Sequence, residues 1–150
     1  MSRFSDPLEI GEGYDRKMLA NLWGLGGHEA ISRGVFTPKG EAQIFLFVTR
    51  EREGWMTPYN NFLYGDLLFW DGEKGHGSDE RITSASSRGE EIHLFYRERR
   101  LTPFIYHGKV IMVRRDQFTD RPSEFVFNVV AVAKKLAPAE PMQLAEDPAD

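Results

Sequence analysis

The sequence predicts an α+β fold: a mostly antiparallel, curled sheet or small barrel with a short helical pair near its N-terminus. Three observations carry this. Helical spacing is confined to residues 15–34, alternation with a period of two recurs from residue 43 onward, and glycine or proline separates the alternating segments too closely for crossover helices. The segments delimit one domain over residues 14–132, with a flexible arm at 1–13 and a disordered, acidic, Ala/Pro-rich tail at 133–150.

Taken in order, the arm contains Pro7, Gly11 and Gly13. "YDRKMLANLWG" reads as a helix. Asp15 can cap it, Met18, Leu19, Leu22 and Trp23 repeat near 3.6 residues, and Gly24 can end it. "GGHEAISRG" reads as a second helical turn closed by Gly34. The pair has a helix-turn-helix spacing, but no long recognition helix follows, so a cap on the sheet is the expected role. The strands are "QIFLFVT" (43–49), "DLLFW" (66–70), "EIHLFYR" (91–97), "PFIYH" (103–107), "KVIMVRR" (109–115) and "EFVFNVV" (124–130). Alternation puts Ile92, Leu94 and Tyr96 on one face of the third, with His93, Phe95 and Arg97 on the other. Between the second and third lies "DGEKGHGSDERI", a glycine-rich polar loop directly after Trp70 and Asp71.

Composition narrows the function classes. Of the 150 residues, 41% are hydrophobic and 13% aromatic, which suits a packed core. No apolar run reaches a membrane span and no signal-peptide core is evident, so the expected location is cytoplasmic and no membrane partner is expected. The absence of cysteine removes thiol catalysis and cysteine-ligated zinc. The formal net charge is −4, but residues 14–130 hold 16 basic and 16 acidic side chains, so the excess negative charge sits at the two ends. Residues 97–115 carry Arg97, Arg99, Arg100, Lys109, Arg114 and Arg115 against Glu98 alone, a local basic run that a polyanion could meet.

Motifs for catalysis are missing. Gly24, Gly26 and Gly27 have neither the preceding strand nor the Lys-Ser/Thr pair of a phosphate-binding loop. His28, His76, His93 and His107 show no metal-ligand spacing, and Ser84, Ser86 and Ser87 lack a nucleophile elbow. Asp66, Asp71, Glu73 and Lys74 resemble a metal-dependent nuclease cluster but crowd one strand and its turn. The expectation is therefore no enzyme, no cofactor, no metal and no catalytic residue. Aromatic residues beside polar groups are plentiful instead. Trp70 followed by Asp71 is a pairing suited to a flat heteroaromatic ligand, the indole stacking and the carboxylate accepting from an exocyclic amine. Asp71 before Gly72 equally suits a turn.

The segments "YDRKMLANLWG", "AISRGVFTPKG", "IFLFVTRE", "GDLLFWDGEKGHGSDERI", "EIHLFYRERRLTPFIYHGKV" and "PSEFVF", in that order, resemble a small target-recognition domain of modified-DNA-dependent (type IV) restriction proteins. In those proteins it accompanies helicase–nuclease or HNH endonuclease modules. "GDLLFW" is also similar to a strand of PUA-like base readers, including SRA and EVE domains, which would make the barrel PUA-like. The resemblance implies recognition of double-stranded DNA carrying 5-methylcytosine, or a related modified base, by flipping the base into an aromatic pocket. A chain of this length holds neither module, so recognition without cleavage is expected, either as a stand-alone sensor or with a nuclease or helicase as partner. The expected pocket residues are Trp70, Tyr59, Asp71, Tyr64 and Tyr96. The expected DNA-backbone ligands are Ser32, Arg33, Lys39, Lys74, His76, Ser78, Arg81, Arg97 and Arg99. The alternatives are a PUA-like RNA-binding module, a protein–protein adaptor that uses the same aromatics, and the nuclease.

Overall fold

Continuous apolar runs mark strands buried on both faces, and the run at 43–49 is the deepest element of the molecule. The computed structural model describes residues 4–50, 61–73 and 75–130. In these, β1 (Gly13–Tyr14) leads into α1 (Arg16–Leu22), a 3-10 turn at Glu29–Ile31 and β2 (Val35–Phe36). There follow β3 (Gln43–Thr49), β4 (Phe62–Tyr64), β5 (Leu67–Asp71), α2 (Asp79–Thr83), β6 (Glu91–Arg97), β7 (Phe104–Asp116) and β8 (Glu124–Val129).

The strands run in the order β2-β3-β6-β7-β8-β5-β4, with β1 on β7. One expectation is corrected here and another refined: the sheet is mostly antiparallel, as expected, but among the described strands contains one parallel pair. The described strands form an open sheet, so the barrel alternative gives way to the curled sheet. The sheet is also mixed: β3 and β6 are parallel, from Gln43 beside Glu91 to Thr49 beside Arg97. Short linkers do enforce antiparallel neighbours, but β3 and β6 are separated by the whole stretch 50–90, which is long enough to bring the chain back in the same direction.

Register shifts between Leu94 and Phe95 and between Met112 and Arg114 bend β7. Gly108, at φ +82°, lets β7 run on through what reads as a turn between two strands. The helical pair is also amended. Asp15 caps α1 as expected, its Oδ1 accepting from Met18 N–H at 2.8 Å, but the second helix is only the 3-10 turn. The glycine-rich loop after Asp71 instead contains α2, too short to show a helical period, whose first-turn Asp79 and Glu80 suit its dipole.

Alternation along β3 and β6 divides the core in two. Ile44, Leu46, Val48, Ile92, Leu94 and Tyr96 join Leu68, Trp70, Ile82, Phe125 and Phe127 on one side. Phe45, Phe47 and Phe95 join Phe4, Leu19, Trp23, Phe36, Phe104 and Tyr106 on the other. Within the stretch read as an arm, Phe4 is buried against Trp23, whose indole N–H donates to the Phe4 carbonyl at 2.8 Å. The tail at 133–150 lies outside the described residues.

Candidate functional site

Parallel strands end together, so β3 and β6 place Thr49 and Arg97 side by side, and the end of β5 lies nearby. Between them is a cavity of about 350 Å³ lined by Arg16, Ser32, Gly34, Phe47, Thr49, Asn61, Trp70, Asp71, Gly72, Glu73, Arg97 and Arg100. It opens where the aliphatic and aromatic cores meet: Trp70 belongs to the first and Phe47 to the second.

Trp70 is held by tilted contacts to Phe125 and Phe127, with ring centroids 5.4 and 6.2 Å away. Only 5% of the residue is exposed, so it offers the cavity an edge of a packed indole rather than a projecting plate. Phe47 lies flat on Phe95, at 4.8 Å and 4°. Asp71 closes β5, and its backbone N–H donates to Asn61 Oδ1 at 2.9 Å. Arg97 Nε donates to Thr49 Oγ1 at 2.8 Å and Nη1 to the Thr102 carbonyl at 3.1 Å, while its guanidinium stands 4.1 Å above the Phe104 ring.

Gly72 turns the chain out of β5 under tight packing. A Cβ there would lie 3.0 Å from Phe125 Cε2 and 3.1 Å from Asp79 Oδ1. Its N–H donates to the Ser123 carbonyl at 2.8 Å. Asp79, buried at the start of α2, accepts from Ser123 Oγ at 2.6 Å and contacts His76 Nδ1 at 2.8 Å through Oδ2. This cluster anchors the loop that forms the cavity rim, and it holds His76 at φ +60°.

The cavity thus gathers Trp70, Asp71, Ser32 and Arg97 from the expected set. Tyr64 is 76% exposed at the β4–β5 turn, and Tyr96 is 4% exposed within the aliphatic core, its hydroxyl accepting from Leu63 N–H at 3.3 Å. Neither lines the cavity. Tyr59 and Lys74 lie outside the described residues. Among the expected backbone ligands, Arg33, Lys39 and Arg99 are exposed, and His76 is half-buried beside Asp79. Ser78 precedes α2 without capping it. Arg81 is engaged by a bidentate pair with Glu90 at 3.1 and 3.2 Å. Asp66 and Asp71 sit at opposite ends of β5. Sequence reading did not select Arg16, Phe47, Thr49 and Asn61, and placed Arg100 in the basic run without choosing it as a ligand; the cavity unites all five.

A second polar cluster lies under the aromatic core. His93 is buried, its Nε2 3.0 Å from Glu91 Oε1 and its Nδ1 2.7 Å from the Tyr106 hydroxyl. With Nε2–H donating to the carboxylate and Tyr106 donating to Nδ1, a neutral ring satisfies all three groups. Burial lowers the His93 pKa and raises that of Tyr106. Burial alone would raise the Glu91 carboxyl, but the bonds from His93 and Gln43 hold it below its ordinary value.

Among solved structures, the chain is similar to the SRA domain of SUVH5 in complex with hemimethylated CG DNA. The TM-score is 0.56 and the identity 14%, over 82% of this chain and 89% of that one. The same domain bound to fully hydroxymethylated CG DNA gives a TM-score of 0.56 at 14% identity, over 83% and 91%. The modification-dependent restriction endonuclease AspBHI gives 0.47 at 14%, over 91% of this chain and 83% of that one. No family model and no curated protein matches the sequence. The fold is SRA-like.

Proposed function

We propose that this chain is a reader of modified cytosine in double-stranded DNA, taking the base out of the stack and into the cavity beside Trp70 and Asp71. The observation that carries this reading is the cavity itself. An indole edge, a phenyl ring, a carboxylate and arginines converge on one opening of an SRA-like fold. The SUVH5 SRA domain of that fold is seen with methylated and with hydroxymethylated CG DNA.

A pyrimidine displaces roughly the volume of four or five waters, on the order of 120–150 Å³ at ~30 Å³ each. The cavity of about 350 Å³ accommodates that with room for a substituent and part of the sugar. In this reading Trp70 and Phe47 flank the base, and the Asp71 carboxylate accepts from the cytosine amine. Asn61 keeps Asp71 in place through the backbone bond. Arg97 and Arg100 face the phosphates. Eversion costs a few kcal/mol, and contact with packed ring edges returns less than the ~1–3 kcal/mol of a full base–aromatic stack, so phosphate contacts supply most of the remaining affinity. The chain recognises without cutting, and a separate nuclease or helicase acts.

Burying one methyl group contributes about 0.8 kcal/mol, roughly a fourfold preference over plain cytosine. Equilibrium titration of unmodified, 5-methyl and 5-hydroxymethyl duplexes and matching RNA at two salt concentrations tests the reading. Tighter binding to the modified duplexes, falling steeply with salt, is the expected result. Equal affinity for all duplexes, or a preference for RNA, would overturn it.

A further inference from the structure

Arg16 is the first residue of α1, and its guanidinium is placed by the aromatic core. It stands 4.9 Å from the Phe104 ring centroid and 5.5 Å from that of Phe47, and Nε donates to the Ile31 carbonyl at 2.7 Å. Its two Nη groups have no acceptor, and no carboxylate lies within ion-pair reach, among the described residues. Burial lowers its pKa, yet an arginine stays charged. Arg97 stands over the same Phe104 ring. Two cations are therefore fixed around one phenyl ring at the edge of a cavity. Such contacts with a ring return only about 0.5–2 kcal/mol each, and the ring does not neutralise the Arg16 charge.

Resting on the nucleotide reading of the cavity, we infer that Arg16, with Arg97 beside it, forms an anion subsite that takes an oxyanion of the bound nucleotide. The guanidinium fork can hold two oxygens of one such group. Two sources supply this chemistry: the phosphodiester flanking the everted base, or a carboxylate carried on an oxidised cytosine.

The test compares wild type with Arg16→Gln on duplexes containing cytosine, 5-methylcytosine or 5-carboxylcytosine. If the oxyanion is a phosphate, the variant loses about tenfold on all three, and the slope of log affinity against log salt falls by about 0.9. If it is the base carboxylate, the loss is confined to the 5-carboxylcytosine duplex. Wild-type affinity and slope on all three would overturn the subsite. Arg16→Met, which keeps the aliphatic stem against Phe47 and Phe104, reads the same outcomes should Arg16→Gln fail to fold. Thermal melting with deoxycytidine monophosphate or 5-carboxyldeoxycytidine, against deoxycytidine, separates this inference from the reader function. A stabilisation specific to either anion and lost in the variant upholds the subsite even if wild type shows no preference for modified duplexes. No stabilisation of wild type by the monophosphate or by 5-carboxyldeoxycytidine, relative to deoxycytidine, or an equal one in the variant, rejects it.

Discussion

Two arginine clusters on this molecule are built from opposite materials. At α2, Arg81 and Arg88 converge on one carboxylate, Glu90, at 3.1 Å each. At the cavity, Arg16 and Arg97 converge on a phenyl ring; Arg16 donates to the Ile31 carbonyl, and Arg97 to the Thr49 hydroxyl and the Thr102 carbonyl. The first cluster has a carboxylate to answer its cations within the fold. In the second, Arg16 has no carboxylate within ion-pair reach among the described residues. Arg81 and Arg88 brace the structure, whereas Arg16 is the cation proposed above to take a ligand. Residue type alone does not separate them: Arg81 and Arg97 both read as phosphate ligands in the sequence.

Variants can break or sharpen this contrast, and the largest effect is expected where the two cores meet. Trp70→Ala removes an indole packed on Phe125 and Phe127 and should lower stability by about 3–5 kcal/mol in urea unfolding. Trp70→Phe should keep the fold and thus isolate any binding defect. Next, Arg97→Gln should weaken every duplex about tenfold and reduce the salt slope by about one, as measured by anisotropy titration. Arg81→Gln should do the reverse, leaving DNA affinity within twofold while lowering stability by about 1 kcal/mol or less, since the pair is partly solvated. A large affinity loss on Arg81→Gln would erase the distinction between the clusters.

The smallest expected effect concerns pH. His93 in the folded chain has a pKa below the ordinary 6.5, so as pH falls through that value the unfolded chain binds a proton that the folded chain refuses. Stability should therefore decline below about pH 6.5. Glu91, held below its ordinary 4.5, continues the decline at lower pH, where its charged form is lost. Urea midpoints at pH 7.5, 6 and 5 should fall in that order, and His93→Gln should flatten the upper part. A midpoint that rises on acidification would contradict the neutral, buried His93.

Much of the sheet was legible because a period of two survives in any strand with distinct faces. The split of β6 into Ile92, Leu94 and Tyr96 against His93 and Phe95 is the clearest case. The parallel pairing of β3 and β6 was not legible, because register between segments so far apart depends on tertiary packing rather than on local pattern. Trp70 and Asp71 were legible as the end of a strand running into a polar loop, and the structure places both on the cavity lining. Tyr64 and Tyr96 were not separable from it, because a tyrosine at a strand end reads alike whether it points to solvent or into a core. Arg16 did leave a signal. Arg16 and Lys17 place two cations in the first turn of α1, where the helix dipole disfavours them, and such a misfit points to a tertiary role.

The central claim is that the cavity receives a base drawn out of a duplex. The most direct measurement is the fluorescence of 2-aminopurine placed next to a 5-methylcytosine during titration with the protein. Eversion unstacks the reporter, so its emission should rise on binding, less so with cytosine in place of 5-methylcytosine, and should fail to rise with Asp71→Ala. Saturable binding to the methylated duplex with emission unchanged would contradict the account.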